Sequence, residues 1–177
     1  MSYPEDKAVE TWVKDGITYS IVQHPSMGHY CGYARFPKKP VIESGYDGIL
    51  TYIPVHGGIT YAKPSRSDVA SITVGTKSLA ISKFDCEIVY GFDCMHAGDD
   101  ENPKCHDIAW LKAECEKMAS YIMIAANHEE KYLLAKTNEE KAKVLDEFHA
   151  EVMEKIGVEF DLKDNFGAMI NIIGGKL

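Results

Sequence analysis

The hydrophobic periodicity of this chain changes near residue 105, and this change constrains the fold more than any other feature. Upstream, short apolar and β-branched segments are separated by glycine and proline, which is typical of strands and turns. Downstream, apolar residues recur every three or four positions, the spacing of one helix face. The order predicts an α+β fold, with an antiparallel sheet in the N-terminal two-thirds and two C-terminal helices packed on one face.

A chain of 177 residues is long enough to bury a sizeable core, and we expect one domain over 1–177. Strands and loops are expected mainly in 1–107, helices in 108–157 and a separate tail in 158–177. Asp15-Gly16 predicts a tight hairpin between the first two strands. Further strands are predicted at 30–36, at 49–56 (where Pro54 indicates an edge or an end), at 59–62, at 71–74 and at 87–93.

Both helices carry start signals. Asp107 is a plausible N-cap for the first helix, and Thr137 with Glu140 forms a capping-box pattern at the start of the second. Gly157 fits the end of the second helix. The expected core stripes are Ile108, Leu111, Cys115, Met118 and Ile122 in the first helix, and Val144, Phe148, Val152 and Ile156 in the second.

Charge and cysteine usage restrict the function classes. A net charge of −8 and only two arginines argue against an extended nucleic-acid groove, which needs clustered cations. The sequence shows neither the apolar core of a signal peptide nor a membrane-spanning apolar run. Five irregularly spaced cysteines fit reduced thiols better than a disulfide framework. These features predict a cytoplasmic protein.

Residues 90–100 place several titratable side chains directly after a hydrophobic strand. A carboxylate beside an imidazole can form an acid–base pair near neutral pH or hold a divalent cation. We therefore take His96 and Asp93 as candidate catalytic residues, and Asp99, His96 and Asp93 as candidate metal ligands. An alternative interpretation stays open, in which Asp93 caps a turn, Cys94 is a buried apolar group and 99–101 is a solvated loop.

A second histidine turn lies at 55–60. His56 precedes Gly57 and Gly58, whose missing Cβ atoms allow the backbone to approach a ligand closely, and Thr60 offers a hydroxyl donor. His56 and Thr60 are candidate catalytic residues, and the two glycines are candidate ligand contacts. The alternative is a tight hairpin with an exposed histidine. We expect this turn to meet the turn at 93–99.

Three further residues are candidate ligand contacts for a phosphate, a base or a sugar hydroxyl: Arg35, Tyr46 and Asp47. A separate set has the ligand types of a zinc site, namely Cys94, His96, Cys105 and His106. That set is the less favoured one, because its spacing is not that of a zinc finger and the adjacent Cys105 and His106 would need a strained bite. No P-loop, dinucleotide fingerprint or other common catalytic motif occurs.

The motifs HGGIT at 56–60 and GFDCMHAGD at 91–99, together with segments at 32–37, 46–47 and 110–118, resemble a family of short bacteriophage and prophage proteins. The resemblance covers roughly residues 28–120. It implies a phage origin, a single-domain layout and a place of action in the host cytoplasm.

The favoured hypothesis is a phage-type accessory protein that acts on a small nucleotide or phosphorylated ligand through a His/Asp pocket. A divalent cation (Zn, Mn or Mg) would assist phosphoester hydrolysis. Whether the protein is an enzyme stays open. It could instead bind and sequester a nucleotide immune signal as an anti-defence protein, or inhibit a host factor by binding it. A homo-oligomer through the helix stripes or the tail is a further expectation.

Overall fold

The computed structural model describes residues 8–37, 48–64 and 87–156. These residues form a five-stranded antiparallel sheet, in which the fifth strand along the chain lies between the third and the fourth, followed by two helices. The predicted α+β class is confirmed. The elements are β1 (Ala8–Lys14), β2 (Ile17–Gln23), β3 (Tyr30–Phe36), β4 (Tyr61–Pro64), β5 (Ile88–Asp93), α1 (Ile108–Leu134) and α2 (Asn138–Ile156).

The predicted hairpin between β1 and β2 is confirmed. Asp15 and Gly16 have φ angles of +52° and +76°, so both central residues adopt the positive φ that a type I′ turn requires. Lys14 then pairs with Ile17, and this register continues as far as the pair of Glu10 with Ile21, before it shifts between Glu10 and Ala8. Because the side chains of a strand alternate between its faces, Tyr19 and Ile21 enter the core together with Ile17.

The segment 49–56 is not a strand, and this prediction is wrong. Ile49–Tyr52 forms a 3₁₀ helix that packs against α1, and the rest of the segment is irregular. Ile49 and its neighbour Leu50 are both buried, whereas alternation would have exposed one of them. A short apolar run next to proline does not specify its own structure, and here packing against α1 decides it.

The helix starts follow the sequence prediction. The Asp107 side chain accepts a hydrogen bond from the Ala109 N–H at 2.9 Å, which confirms the N-cap of α1. In α2, the Glu140 N–H donates to Thr137 Oγ1 and the Thr137 N–H donates to Glu140 Oε2, both at 3.1 Å. These two bonds confirm the capping box.

Helix α1 lies against β2 and β3, and α2 packs against α1. The predicted apolar stripes form much of this interface, with Leu111, Cys115, Met118, Ile122 and Phe148 fully buried. Among the described residues, no helix combines the length and the hydropathy needed to cross a membrane. The predicted strand at 71–74, the helix stop at Gly157 and the tail lie outside the described residues.

Candidate functional site

The sheet topology brings the two histidine turns together. β4 runs antiparallel to β5, and Tyr61, the first residue of β4, pairs with Gly91 near the end of β5. The Thr60 N–H extends this pairing by donating to the Gly91 carbonyl oxygen at 2.9 Å. The residues that precede β4 therefore lie beside those that follow β5, and His56 reaches the 94–99 turn.

Asp99 is the centre of the resulting cluster. Its carboxylate is buried between two imidazoles, with both oxygens 3.0 Å from His56 Nε2 and Oδ2 3.1 Å from His96 Nδ1. The His96 backbone N–H also donates to Oδ2 at 2.8 Å. The exposed fraction rises from 7% for the Asp99 side chain to 20% for His56 and 40% for His96. The cluster is thus anchored inside and open at His96.

Asp99 carries its negative charge near neutral pH. Burial acts to raise the pKa of this carboxyl group, but the hydrogen bonds from the His96 backbone and the His56 ring outweigh burial and lower the pKa below its ordinary value. An ionised carboxylate flanked by two imidazoles can bind a cation, or it can accept hydrogen bonds that orient both rings.

Gly57 provides the space in which the His96 ring sits. A Cβ atom at position 57 would lie 1.9 Å from His96 Cε1, well inside any permitted contact, and Gly57 has a φ of +66°. Glycine is therefore required here both by the backbone conformation and by the ring. From the sequence, the missing Cβ atom was expected to let the backbone approach a ligand closely. In the structure, the group that the backbone approaches is the His96 imidazole.

Two thiols lie behind the histidines. Cys94 follows β5 directly and is fixed by its N–H, which donates to the Tyr30 carbonyl oxygen at 2.9 Å. Cys105 lies in the 3₁₀ helix Pro103–His106, with its Sγ 3.5 Å from His56 Nε2. Burial raises the pKa of both thiols.

These side chains form two groups that could hold a metal ion. One consists of His56, Cys94 and Cys105, and the other of His56, His96 and Asp99. Within each group the potential ligand atoms all lie within 4.8 Å of one another. Imidazole, thiolate and carboxylate are the donors that transition metals take in proteins, so both groups have suitable chemistry as well as spacing.

Helix α1 holds the His56 turn in place. The His56 N–H donates to Glu114 Oε1 at 2.8 Å, and the buried Glu114 is paired with Lys117 at 2.6 Å. The Trp110 and His56 rings also meet edge to face, with 5.5 Å between the centroids. These contacts join distant segments, and neither Glu114 nor Trp110 was a predicted site residue, although both lie in the 110–118 segment of the family resemblance.

Of the remaining predicted site residues, the structure describes the surroundings of Asp93, Thr60 and Arg35. Asp93 Oδ1 accepts a hydrogen bond from the Met95 N–H at 3.2 Å, as the turn-capping alternative predicted, and Asp93 belongs to neither metal-binding group. Thr60 is exposed. Arg35 forms an ion pair with Glu87 at 3.6 Å. Tyr46 and Asp47 lie outside the described residues.

The zinc set considered from the sequence is rearranged in three dimensions. Cys94 and Cys105 do lie together, but His56 joins them in place of His106. His106 instead lies on the Asp100 side, with Nε2 3.2 Å from the Asp100 carbonyl oxygen. The signal available in the sequence was the pair of cysteines flanking the acidic turn, and only the fold shows which histidine completes it.

Comparisons of the chain with protein-family models, with curated proteins and with solved structures returned no match. Inferences about function therefore rest on the geometry of the cluster and on the sequence motifs.

Proposed function

We propose that this protein binds a divalent metal ion at His56 and Asp99 and hydrolyses a phosphoester bond in a small nucleotide-type or other phosphorylated ligand. The observation that carries the proposal is the convergence of three potential ligand atoms on one nitrogen. Both Asp99 oxygens and Cys105 Sγ lie within 3.5 Å of His56 Nε2.

This convergence argues against a metal-free catalytic triad. In a triad, the carboxylate and the nucleophile contact opposite nitrogens of the imidazole, so that the ring passes a proton between them. Here the Asp99 carboxylate and the Cys105 sulfur contact the same nitrogen. A nitrogen that carries at most one proton serves several such neighbours poorly, whereas a cation can accept lone pairs from all of them.

Charge gives independent support for a cation. The chain has a formal net charge of −8, and one of the anions counted in it, Asp99, lies at the centre of the cluster. A phosphate group would be repelled by this field unless a positive charge offset it. A metal ion held by His56 and Asp99 would supply that charge, and its chemistry there would be to polarise a phosphoryl oxygen and to lower the pKa of a bound water.

His96 is the candidate proton carrier. Its Nδ1 lies 3.1 Å from Asp99 Oδ2, so the carboxylate favours the tautomer in which Nδ1 carries the proton and Nε2 keeps its lone pair. The His96 side chain is 40% exposed, and its Nε2 would accept the proton of the attacking water as the new P–O bond forms. The ester oxygen would leave as the old P–O bond breaks and would take a proton from solvent.

The resemblance to phage proteins suggests where the protein acts and on which class of ligand. A phage accessory protein of this kind would work in the host cytoplasm, and a nucleotide immune signal is the ligand class we propose there. The motifs that carry the resemblance include His56, Gly57, His96 and Asp99, so they coincide with the cluster.

A nucleotide panel tests the proposal. The purified protein is incubated with linear and cyclic nucleotides as isolated, after chelation, and after addition of Zn²⁺, Mn²⁺ or Mg²⁺, and products are separated by chromatography. We expect metal-dependent hydrolysis that falls at least about 100-fold in His96→Gln. The matched control is His24→Gln, because His24 is a loop histidine that stacks on His29 and belongs to neither metal-binding group.

Three outcomes would contradict the proposal. If heating the protein releases intact nucleotide and no product forms, the protein sequesters its ligand instead of hydrolysing it. If hydrolysis persists at the same rate in His96→Gln and in the chelated protein, the cluster is not the active site. Failure to bind or change any nucleotide would leave a protein partner as the target.

A further inference from the structure

We propose that Cys94 and Cys105 join His56 and Asp99 as the four ligands of one zinc ion, with His96 outside the coordination shell. The inference goes beyond the proposed function, because it identifies the metal and its ligands and does not require turnover. It merges the two groups described above into a single site that shares His56.

The distances match a tetrahedral zinc site. With Zn–N near 2.0 Å and Zn–S near 2.3 Å, a tetrahedron places a nitrogen and a sulfur ligand about 3.5 Å apart and a nitrogen and an oxygen about 3.3 Å apart. Cys105 Sγ lies 3.5 Å from His56 Nε2, and the Asp99 oxygens lie 3.0 Å from the same nitrogen. Cys94 Sγ lies within 4.8 Å of His56 and of Cys105, so small rotations of side chains complete the site.

The hydrogen bonds of Asp99 indicate which oxygen is the ligand. Oδ2 lies 2.8 Å from the His96 backbone nitrogen and 3.1 Å from His96 Nδ1. These two donors occupy Oδ2 and leave Oδ1 to coordinate the metal, as expected when a neighbouring histidine orients a carboxylate ligand. His96 is therefore a positioning residue for Asp99 as far as metal binding is concerned.

The donor set selects zinc over the hard cations. Mg²⁺ and Mn²⁺ prefer oxygen ligands, usually six of them, and the site offers one carboxylate and two sulfurs. Two thiolates, one imidazole and one carboxylate suit Zn²⁺, which accepts N, S and O donors in a tetrahedron. The open side at His96 would admit a fifth ligand, since zinc can expand its coordination during a reaction.

The position of the donors in the fold is also that of a zinc site. His56 lies in the turn after a 3₁₀ helix, Cys94 follows β5, and Asp99 and Cys105 lie in two short 3₁₀ helices. A metal ion held by these four donors would connect all of these segments. The 3₁₀ helices that precede His56 and contain Cys105 pack on α1, and the one that contains Asp99 packs on that of Cys105.

Metal analysis and cobalt substitution test the inference on the full chain. We expect about one zinc per chain in the purified protein, and a thiolate-to-cobalt charge-transfer band after replacement of zinc by Co²⁺. Cys94→Ser and Cys105→Ser should each weaken zinc binding at least about 100-fold in a chelator competition. Cys31→Ser is the matched control, because Cys31 is also a buried thiol but belongs to neither group.

The outcomes separate this inference from the proposed hydrolysis. If zinc is bound through the thiols and no nucleotide is hydrolysed, the inference is supported and the proposed hydrolysis is contradicted. The absence of metal, or a cobalt complex of the wild type without the thiolate band, overturns the inference even where hydrolysis is found. The wild-type spectrum does not depend on any variant, so a serine variant that misfolds does not weaken the test.

Discussion

At the scale of single residues, the site depends on the close contact between Gly57 and the His96 ring. Gly57 lies so close to the His96 ring that a Cβ atom would not fit between them, whereas a Cβ atom on Gly58, the next residue, would meet open space. The two glycines have similar positive φ angles, +66° and +84°. They are therefore a natural pair for separating backbone strain from displacement of the ring.

We predict that Gly57→Ala and Gly58→Ala destabilise the fold by similar backbone terms but differ in function. An alanine in the left-handed region costs about 1–2 kcal/mol, which urea unfolding would measure in both variants. Only the Cβ at position 57 must also push His96 away from Asp99. We expect nucleotide hydrolysis to fall at least about 10-fold in Gly57→Ala relative to Gly58→Ala.

One result would contradict the prediction for the two glycine variants. If the two variants lose hydrolysis equally, the rate of hydrolysis does not depend on the contact of His96 with Gly57 or on the position of its ring in the cluster. Nuclear magnetic resonance of the His96 ring in both variants would show directly whether the ring has moved.

At the scale of elements, local patterns predicted what local interactions determine. The Asp15-Gly16 hairpin, the Asp107 cap and the Thr137–Glu140 capping box each depend on residues within a few positions, and each is present. The segment 49–56 is shaped by α1, more than 50 residues away, so its alternation was misleading. Strand order likewise depends on long-range pairing that no local pattern encodes.

Helix α1 connects the site to the far edge of the sheet. Near its start, Glu114 holds the His56 backbone, and two residues later Glu116 accepts hydrogen bonds from Trp12 Nε1 at 3.1 Å and Lys14 Nζ at 2.6 Å. Lys112 completes this contact with β1 by pairing with Glu10 at 2.7 Å. The edge strand is thereby attached to the helix that supports the site.

The attachment of β1 should depend on pH through Glu116. The hydrogen bond from Lys14 lowers the pKa of Glu116 below its ordinary value, against the effect of burial. Because the folded pKa is lowered, the stabilisation is complete above the unfolded pKa of about 4.3 and is lost as the pH falls through the folded pKa. Glu116→Gln should lower Tm by at most a few degrees at neutral pH and by less near pH 3.

Thermal unfolding of the wild type and Glu116→Gln across this pH range measures the effect. Glu130→Gln, an exposed change on the same helix, is the control and should shift Tm little at any pH. A Tm difference between wild type and Glu116→Gln that grows as the pH falls would have the wrong sign for this account.

At the scale of the whole molecule, the site could be predicted only in part. Titratable residues beside glycines at 56–60 and 91–99 indicated two turns of one site, and antiparallel pairing of β4 with β5 places them together. The sequence could not show that Cys105, rather than Asp93, would face His56, because that depends on how two 3₁₀ helices fold back between β5 and α1. Tertiary packing selects the members of a site from the candidates that the sequence supplies.

A metal ion that joins these segments should stabilise the entire fold. A ligand that binds only the folded state adds about 2.7 kcal/mol when its free concentration is 100 times Kd, and each kcal/mol raises Tm by roughly 2–4 °C in a chain of this size. We therefore predict that chelation lowers Tm by about 5–10 °C and that added Zn²⁺ restores it, because the unfolded chain has no assembled set of ligands. Calorimetry of the chelated, zinc-loaded and Mg²⁺-treated protein measures these shifts.

Asp99→Asn should remove most of the zinc-dependent shift, while the control Asp146→Asn, an exposed change on α2, should keep it. Equal stabilisation by Mg²⁺ would contradict coordination by thiols, since a site with two sulfur donors has little affinity for a cation that prefers oxygen.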